Sequence, residues 1–191
     1  MMTSLTACTN TVTHTISATD PTVSVMGRTV IHNEQHRIGY PGVTLHTRVN
    51  AKALFVEVSS STGNNWIDVS IDGETPVAYK IPKEKTSLRL FEHKKPAVTD
   101  VSIVHRTENW QGELRVDNFT ASDGTFLRPA PLPTRKIMIL GDSVTCGEAV
   151  DREAGKTKNP SWWNARDSYG YLIARALKAQ VHLVCWGGRG L

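Results

Sequence analysis

An aspartate and a serine directly follow a short apolar run in the last third of the chain. The run covers residues 137–140 (Ile-Met-Ile-Leu), Gly141 ends it, and Asp142 and Ser143 come next. Four apolar residues are too few for a helix but suit a parallel strand that is covered on both faces. Open α/β sheets place their reactive groups at the carboxyl ends of such strands. The spacing therefore favours Ser143 as a nucleophile.

Glycine, aspartate and serine are also ordinary turn residues, so this tripeptide alone does not distinguish a nucleophile from a plain turn. Its surroundings favour the nucleophile. A helical pattern follows at residues 168–177, and a second apolar run at 181–186 leads into the glycine-rich segment 187–190 (Gly-Gly-Arg-Gly). Asp142 is better suited to fix the loop by accepting backbone N–H bonds than to act as the base.

The segment 141–143 (Gly-Asp-Ser) after an apolar strand resembles the first block of the SGNH, or GDSL, hydrolase superfamily. A proline-rich run at 129–133 precedes it and the segments 168–177 and 181–191 follow, which makes the order similar to that of carbohydrate esterase family 2. Members of that family place a β-sandwich before an SGNH domain and remove acetyl groups from plant polysaccharides. The resemblance covers about residues 27–191, and Gly-Asp-Ser-x-Thr-Cys-Gly is its most specific part.

The resemblance implies a role for two backbone N–H groups. Ser143 is the nucleophile and its own N–H is one oxyanion donor, while Gly188 matches the second block of the family, whose glycine N–H points into the oxyanion hole. A flexible glycine-rich turn is the alternative for Gly188. In the family the base comes from an Asp-x-x-His block near the C-terminus, with an oxyanion Asn before it. This chain stops at Leu191, before either block, so the resemblance implies a C-terminally truncated esterase that lacks the catalytic histidine.

Aromatic residues lie between Ser143 and the expected helix, which begins near Asp167 or Ser168, both good N-caps. Trp162, Trp163 and Asn164 stand there. An exposed tryptophan beside an esterase serine would suit a sugar, because sugar rings stack on aromatic faces. We therefore expect these three residues to bind substrate, with core packing of a tryptophan as the alternative.

Composition excludes several other classes of protein. The net charge of +4 is spread along the chain without a clustered basic stripe, so no nucleic-acid partner is expected. No run of 18 apolar residues exists, so no membrane span is expected. Three cysteines are too few and too dispersed for a zinc site, and neither a metal nor a cofactor is expected. Cys146 and Cys185 could approach each other on the proposed fold, or remain two partly buried thiols.

Residues 23–127 have the pattern of an all-β domain, in which short strands alternate apolar and polar residues. The expected strands are 43–49, 53–58, 66–71, 77–81, 88–91, 98–104 and 113–119, and Asp72-Gly73 is a hairpin turn signal. Many short strands with regular turns indicate a β-sandwich, of the jelly-roll type. We expect a flexible segment at 1–22, this jelly roll at 23–127, a proline-rich linker at 128–136 and the first part of a flavodoxin-like SGNH hydrolase domain at 137–191.

The histidines in the sandwich have no motif around them, and a lone histidine is usually structural. They are His32, His36, His46, His93 and His105. His182, on the second apolar run, suits a hydrogen-bonding role at the sheet margin. None is expected to be the base for Ser143.

These patterns and the resemblance together predict a carboxylic ester hydrolase that removes acetyl groups from xylan- or mannan-type polysaccharide through an acyl-enzyme on Ser143. The resemblance implies a secreted or periplasmic protein that is a monomer when complete. A non-catalytic carbohydrate-binding sandwich with an SGNH remnant is the alternative from another class. A lipase-like SGNH enzyme is disfavoured by the upstream sandwich and by the lack of a large apolar lid segment.

Overall fold

The structure, a computed structural model, describes residues 12–189 and consists mostly of antiparallel β-sheet. The strands of the large sheet are β1 (Thr13–Ser17), β2 (Val23–Met26), β3 (Val30–His32), β4 (Gln35–Ile38), β5 (Thr44–Ser60), β6 (Trp66–Ile71), β7 (Val77–Lys80), β8 (Thr86–His105), β9 (Leu114–Ser122) and β10 (Thr125–Leu127). A separate two-stranded sheet contains β11 (Lys136–Gly141) and β12 (Gln180–Cys185), and the helix α1 covers Tyr169–Ala176. Short 3₁₀ turns occur at Asn109–Gln111, Pro160–Trp162 and Ala165–Asp167.

The long strands β5 and β8 form the centre of the large sheet. The strand order is β3-β4-β9-β5-β8-β6-β7, with β1 beside β9 and with β2 and β10 beside β5. The register of β5 against β8 shifts at Ala51/Ala53 and at Leu54/Phe55. Bulges of this kind bend a strand and increase its twist, so the sheet curls around a core of fully buried aliphatic side chains. This architecture is consistent with the expected β-sandwich.

Several expected strands are halves of longer ones. The segments predicted at 43–49 and 53–58 are both part of β5, and those at 88–91 and 98–104 are both part of β8. The polar residues Asn50 and Lys52 indicate a turn in the sequence, but the first register shift of β5 lies there and the strand continues.

The expected hairpin at Asp72-Gly73 is confirmed. β6 and β7 pair antiparallel, with Trp66 opposite Lys80. Asp72 and Gly73 have φ values of 50° and 76°. Positive φ at successive residues is what the tight turns of hairpins require, and Asp-Gly adopts it readily.

The N-terminal segment differs from the flexible region expected at residues 1–22. Residues 1–11 lie outside the described range, but Thr13–Ser17 form β1 and pair antiparallel with β9, with Ile16 opposite Phe119. The expectation is therefore wrong for residues 13–17. Threonine and isoleucine are β-branched and favour strands, and the strand is too exposed to show a strong apolar pattern.

β11 and β12 pair in parallel, with Ile139 opposite Leu183 and Gly141 opposite Cys185. The run before Ser143 is therefore a parallel strand, as expected, and its partner is the second apolar run. Residues 128–135, which include the proline-rich run, connect the two sheets without helix or strand. No helix among residues 12–189 is long and apolar enough to cross a membrane.

Helix α1 begins after Ser168, as predicted, but it buries a different face from the one with the larger apolar residues. The buried residues are Gly170, Tyr171 and Ala174. A Cβ at Gly170 would lie 2.8 Å from Ile139 Cδ1, so the glycine allows the helix to lie close against β11. The larger apolar residues of the opposite face are exposed: Tyr169, Leu172, Ile173, Ala176 and Leu177.

Candidate active site

Ser143 lies on a tight turn directly after β11. A Cβ at Gly141 would lie 2.0 Å from Thr145 Oγ1, so glycine is needed for the chain to turn here. Asp142 Oδ1 accepts a hydrogen bond from the Val144 N–H at 3.0 Å, the type of backbone contact expected of Asp142. The turn leaves Ser143 half-buried at the carboxyl edge of the parallel strands.

A carboxylate that interacts with the nucleophile is paired with an ammonium group. Glu148 forms an ion pair with Lys158. The hydrogen bond from Lys158 lowers the pKa of Glu148 below its ordinary value; partial burial opposes this, and a hydrogen bond with the Ser143 side chain lowers it further. Because an efficient general base has a pKa near the working pH, this carboxylate is a poor base at neutral pH.

The loop after β12 lies beside the nucleophile turn. Because Gly141 and Cys185 are opposite each other in the sheet, the two loops leave the same edge, and the Trp186 N–H donates to the Gly141 carbonyl at 3.2 Å. Gly188 has a φ of 74°, in the left-handed region that favours glycine. Among the described residues, neither the Ser143 N–H nor the Gly188 N–H donates a hydrogen bond.

Cys146, in the nucleophile turn, and Cys185, the last residue of β12, form a disulfide. Both residues are buried, at 0% and 4% exposure. The sequence left two alternatives open, a disulfide between Cys146 and Cys185 or two separate thiols. The structure has the disulfide. The spacing of 39 residues could not show this, because only the parallel pairing of β11 and β12 brings the cysteines together.

A cavity of about 270 Å³ opens beside the glycine-rich loop. Its lining residues come from two parts of the chain. Two of them follow β8 of the sandwich, and the others belong to the region after β11. The lining residues are Glu108, Trp110, Glu148, Lys158, Trp163, Trp186, Gly187 and Gly188. The cavity thus places carboxylates, an ammonium and aromatic rings around the Gly188 backbone.

The tryptophans expected to stack on sugar are buried. Trp162 and Trp163 are 5% and 2% exposed, so neither presents a free ring face to solvent, and the alternative of core packing describes both. Asn164 is 4% exposed, and its side-chain amide donates to Asp151 and Asp167 at 3.0 Å. All three residues support the loop after Ser143. Their burial argues against the direct substrate contacts expected from the sequence.

Two other tryptophans are exposed at the cavity. Trp110 is 51% exposed and Trp186 is 44% exposed. Trp110 also packs edge-on against Trp163, with ring centroids 5.5 Å apart. The sequence offers a signal for Trp186, which directly precedes the glycine-rich loop, but none for Trp110, which only the tertiary fold brings here.

Residues just after β8 fasten the sandwich to the nucleophile region. Arg106 is 7% exposed and donates to Asp68 Oδ1 at 2.8 Å and to the Trp163 carbonyl at 2.8 Å. It also forms an ion pair with Asp151. Buried charges require such partners, so this arginine ties the loop that follows Ser143 to the sandwich.

The histidines lie elsewhere. None of the seven lines the cavity described above. His105 is fully buried, and burial lowers the pKa of its imidazole to about 4. Its Nδ1 lies 2.9 Å from the Tyr40 carbonyl and its Nε2 lies 3.0 Å from Asn65 Nδ2. It is a structural residue of the sandwich. Residues 12–189 contain no cluster of histidine, cysteine, aspartate and glutamate arranged to hold a metal ion.

Comparison with known proteins identifies the family. Residues 25–131 match the family described as Carbohydrate esterase 2 N-terminal. The acetylxylan esterase / glucomannan deacetylase of Cellvibrio japonicus is 52% identical over 194 residues, which cover 98% of this chain and 54% of that protein. The chain therefore spans about half the length of this curated relative.

Solved structures show the same similarity. A family two carbohydrate esterase from Cellvibrio japonicus superimposes with a TM-score of 0.92 at 50% identity, covering 95% of this chain and 54% of that one. A family two carbohydrate esterase from Clostridium thermocellum, solved in complex with cellohexaose, has a TM-score of 0.81 at 24% identity over 88% of this chain and 52% of its own, and supports the fold alone. From the family match and the 52% identity, the chain belongs to carbohydrate esterase family 2.

Proposed function

We propose that this chain carries the nucleophile and two oxyanion donors of a serine esterase that removes O-acetyl groups from xylan- or mannan-type polysaccharide. The observation that carries the proposal is the pairing of Gly141 with Cys185, which brings the Ser143 turn and the Gly188 loop to one edge with their N–H groups free. The 52% identity to an acetylxylan esterase / glucomannan deacetylase supports the substrate class.

The reaction follows from these groups. The Ser143 hydroxyl oxygen attacks the acetyl carbonyl carbon while a base removes the hydroxyl proton. The negative charge that develops on the carbonyl oxygen is stabilised by the N–H groups of Ser143 and Gly188. The tetrahedral intermediate then collapses, the C–O bond to the sugar breaks, and the sugar oxygen takes the proton. Water attacks the acetyl-Ser143 ester in the same way and releases acetate.

The base is a histidine outside residues 12–189 in this proposal. The histidines of the described range lie away from the cavity, and His105 is held by its buried contacts in the sandwich. Glu148 interacts with the Ser143 side chain, but the hydrogen bond from Lys158 lowers the pKa of its carboxyl group, so it accepts a proton poorly at neutral pH.

The substrate contacts come from Trp110 and Trp186 rather than from the buried pair at 162 and 163. Both exposed rings border the cavity at the Gly188 loop. Aromatic faces offer apolar surface to sugar C–H groups, so a polysaccharide chain can lie across the cavity mouth.

The domain organisation in this proposal is a jelly-roll sandwich at 13–127, which includes β1 through its pairing with β9, a linker at 128–136 and part of an SGNH domain from residue 137. The parallel β11–β12 pair with α1 supports the second domain. The disulfide Cys146–Cys185 supports a secreted or periplasmic location, because disulfides persist in oxidising compartments. A monomer remains the expected state.

The alternative, a carbohydrate-binding sandwich with an inactive remnant, is less well supported. A remnant has no need for a free pair of backbone donors beside a serine, yet Ser143 and Gly188 retain theirs. One of the exposed aromatic residues of the cavity, Trp186, also lies after β12 and outside the sandwich.

The test is Ser143→Ala in the full-length gene product. We expect turnover of 4-nitrophenyl acetate and of acetylated xylan to fall by several orders of magnitude, as removal of a nucleophile does. Ser161→Ala is a matched control, because Ser161 bonds through its backbone to Asn159 and Arg106. Full activity of Ser143→Ala would overturn the assignment.

A further inference from the structure

We propose that Glu108, a residue of the sandwich, positions the oxyanion loop by holding the Gly187 N–H, and is therefore a positioning residue of the esterase reaction. This inference rests on the proposed function. Glu108 is fully buried, and its Oε2 accepts a hydrogen bond from the Gly187 N–H at 2.7 Å. Gly187 is the residue directly before Gly188, so the contact acts on the peptide unit next to the proposed oxyanion donor.

The contact requires a carboxylate. The second oxygen of Glu108, Oε1, accepts a hydrogen bond from Trp163 Nε1 at 2.6 Å. Two N–H donors thus converge on the two oxygens of one side chain. A glutamine offers one acceptor oxygen and one NH₂ group, so one of the two N–H groups would face another donor. A buried donor without its acceptor is costly, so the loop would shift away from the amide.

Gly187 is shaped for this contact. A Cβ at Gly187 would lie 2.9 Å from Glu108 Oε2 and 3.2 Å from Oε1. Gly187 does not have a positive φ, so its backbone is open to an alanine and the space taken by Glu108 is what requires glycine. A methyl group there would push the carboxylate and the loop apart without removing any charge.

Glu108 is itself held rigidly. Its backbone N–H donates to Gln111 Oε1 at 2.9 Å, and Gln111 is 1% exposed. Two residues earlier, Arg106 binds Asp68, Asp151 and the Trp163 carbonyl. Glu108 is thus fixed to the sandwich on one side and to the loop after Ser143 on the other.

The consequence for catalysis is specific to the transition state. An oxyanion donor acts on the charge that develops during attack, so a displaced Gly188 N–H lowers kcat and leaves substrate binding nearly unchanged. Displacement by a fraction of an ångström to 1 Å costs about 10- to 100-fold in rate. If the sandwich only supported the fold, substitution of Glu108 would lower the stability of the protein without this selective fall in kcat.

The experiment compares Glu108→Gln and Gly187→Ala in the full-length gene product with 4-nitrophenyl acetate as substrate. We expect kcat to fall by about 10- to 100-fold in both, with KM within about twofold. Binding of a simple boronic acid, which forms an anionic tetrahedral adduct with a serine, should weaken in parallel. The matched controls are Glu84→Gln, an exposed glutamate, and Gly39→Ala, where an added Cβ meets nothing within 4 Å.

A third variant tests the two-donor argument. In Glu108→Gln combined with Trp163→Phe, the indole N–H is gone and the amide can turn its oxygen to Gly187. We expect the double variant to recover part of the kcat lost in Glu108→Gln. If both changes only weakened the fold, their effects would add.

The outcomes separate this inference from the proposed function. Normal kcat in Gly187→Ala, or in a folded Glu108→Gln, while Ser143→Ala is inactive overturns the positioning role and leaves the nucleophile intact. If Glu108→Gln does not fold, Gly187→Ala decides, because it keeps every buried charge. Activity in Ser143→Ala would overturn the proposed function itself.

Discussion

Cys146 and Cys185 form a covalent link between the turn that carries Ser143 and the strand that leads to Gly188. The link lies in a small core with residues of α1 and of the sandwich, including Tyr171 and Val104. The relative position of the proposed nucleophile and the proposed oxyanion donor is therefore held by a covalent bond in addition to the ladder of β11 and β12.

Removal of the disulfide is expected to lower stability. In Cys146→Ser combined with Cys185→Ser, we expect the free energy of unfolding to fall by about 2 to 4 kcal/mol, because the bridge closes a loop of 39 residues. Differential scanning calorimetry with and without reductant measures this. A wild-type protein whose melting temperature is unchanged by full reduction would contradict the prediction.

His105 predicts acid sensitivity of the sandwich. Burial lowers the pKa of its imidazole to about 4, whereas the unfolded chain has an ordinary value near 6.5. The unfolded state thus binds more protons between these values, so stability is present above about pH 6.5 and is lost as the pH falls toward 4. The loss attributable to this group is about 3 kcal/mol at pH 4.

Urea unfolding of the wild type and of His105→Gln between pH 7 and pH 4 measures this contribution. The variant should be less stable at neutral pH but should show a flatter dependence on pH. The exposed His32, changed to Gln, is the control and should leave the slope as it is. Equal slopes in the wild type and in His105→Gln would refute the assignment.

The exposed tryptophans predict a split between large and small substrates. Trp110→Ala and Trp186→Ala should each raise KM for acetylated xylan about 2- to 10-fold, the range for loss of one aromatic contact. Turnover of 4-nitrophenyl acetate should change little, since that substrate has no sugar chain. Trp110→Phe should restore most of the affinity, and equal effects on both substrates would indicate a structural role instead.

The outer face of the small sheet and of α1 predicts dye binding by the 191-residue chain. Met138 and Leu140 on β11 are 61% and 53% exposed, and Ile173 of α1 and Leu177 directly after it are both 47% exposed. Exposed apolar surface of this kind binds hydrophobic dyes. We expect the purified chain to enhance the fluorescence of such a dye, and Met138→Lys combined with Ile173→Lys to reduce it.

The same chain should show no turnover of acetyl esters, since its histidines lie away from the cavity. Thermal unfolding should still show a cooperative sandwich. Robust turnover by the purified 191-residue chain would contradict this and would require a base among the seven histidines.

The sequence predicts what depends on local pattern. The strand before Ser143, the start of α1 after Ser168 and the Asp72-Gly73 hairpin each have a signal within a few residues, and each is found. The interruption at Asn50 and Lys52 has a local signal too, but strand pairing on both sides of β5 outweighs it. Local pattern is therefore reliable where no long-range pairing competes with it.

The residues of the cavity depend on tertiary packing instead. Trp163 packs against Trp110 because Arg106 and Glu108 bind its loop to the sandwich. Because Trp162 and Trp163 are buried, the aromatic rings exposed to a ligand are those of Trp110 and Trp186. The helix shows the same limit, since Leu172 and Ile173 face outward whereas Gly170, Tyr171 and Ala174 are buried.

The contacts of residues 106–108 also restrict how the molecule can be recombined. A chimaera that joined residues 128–189 to a sandwich from another protein would lose the partners of Asp151, of the Trp163 indole and of the Gly187 N–H at once. Fold similarity between the two sandwiches would not compensate for that loss. Exchange of the sandwich between esterases therefore requires that residues 106–108 stay with the nucleophile region. In terms of contacts, the segment from Arg106 to Glu108 belongs to the nucleophile region although it follows β8 of the sandwich.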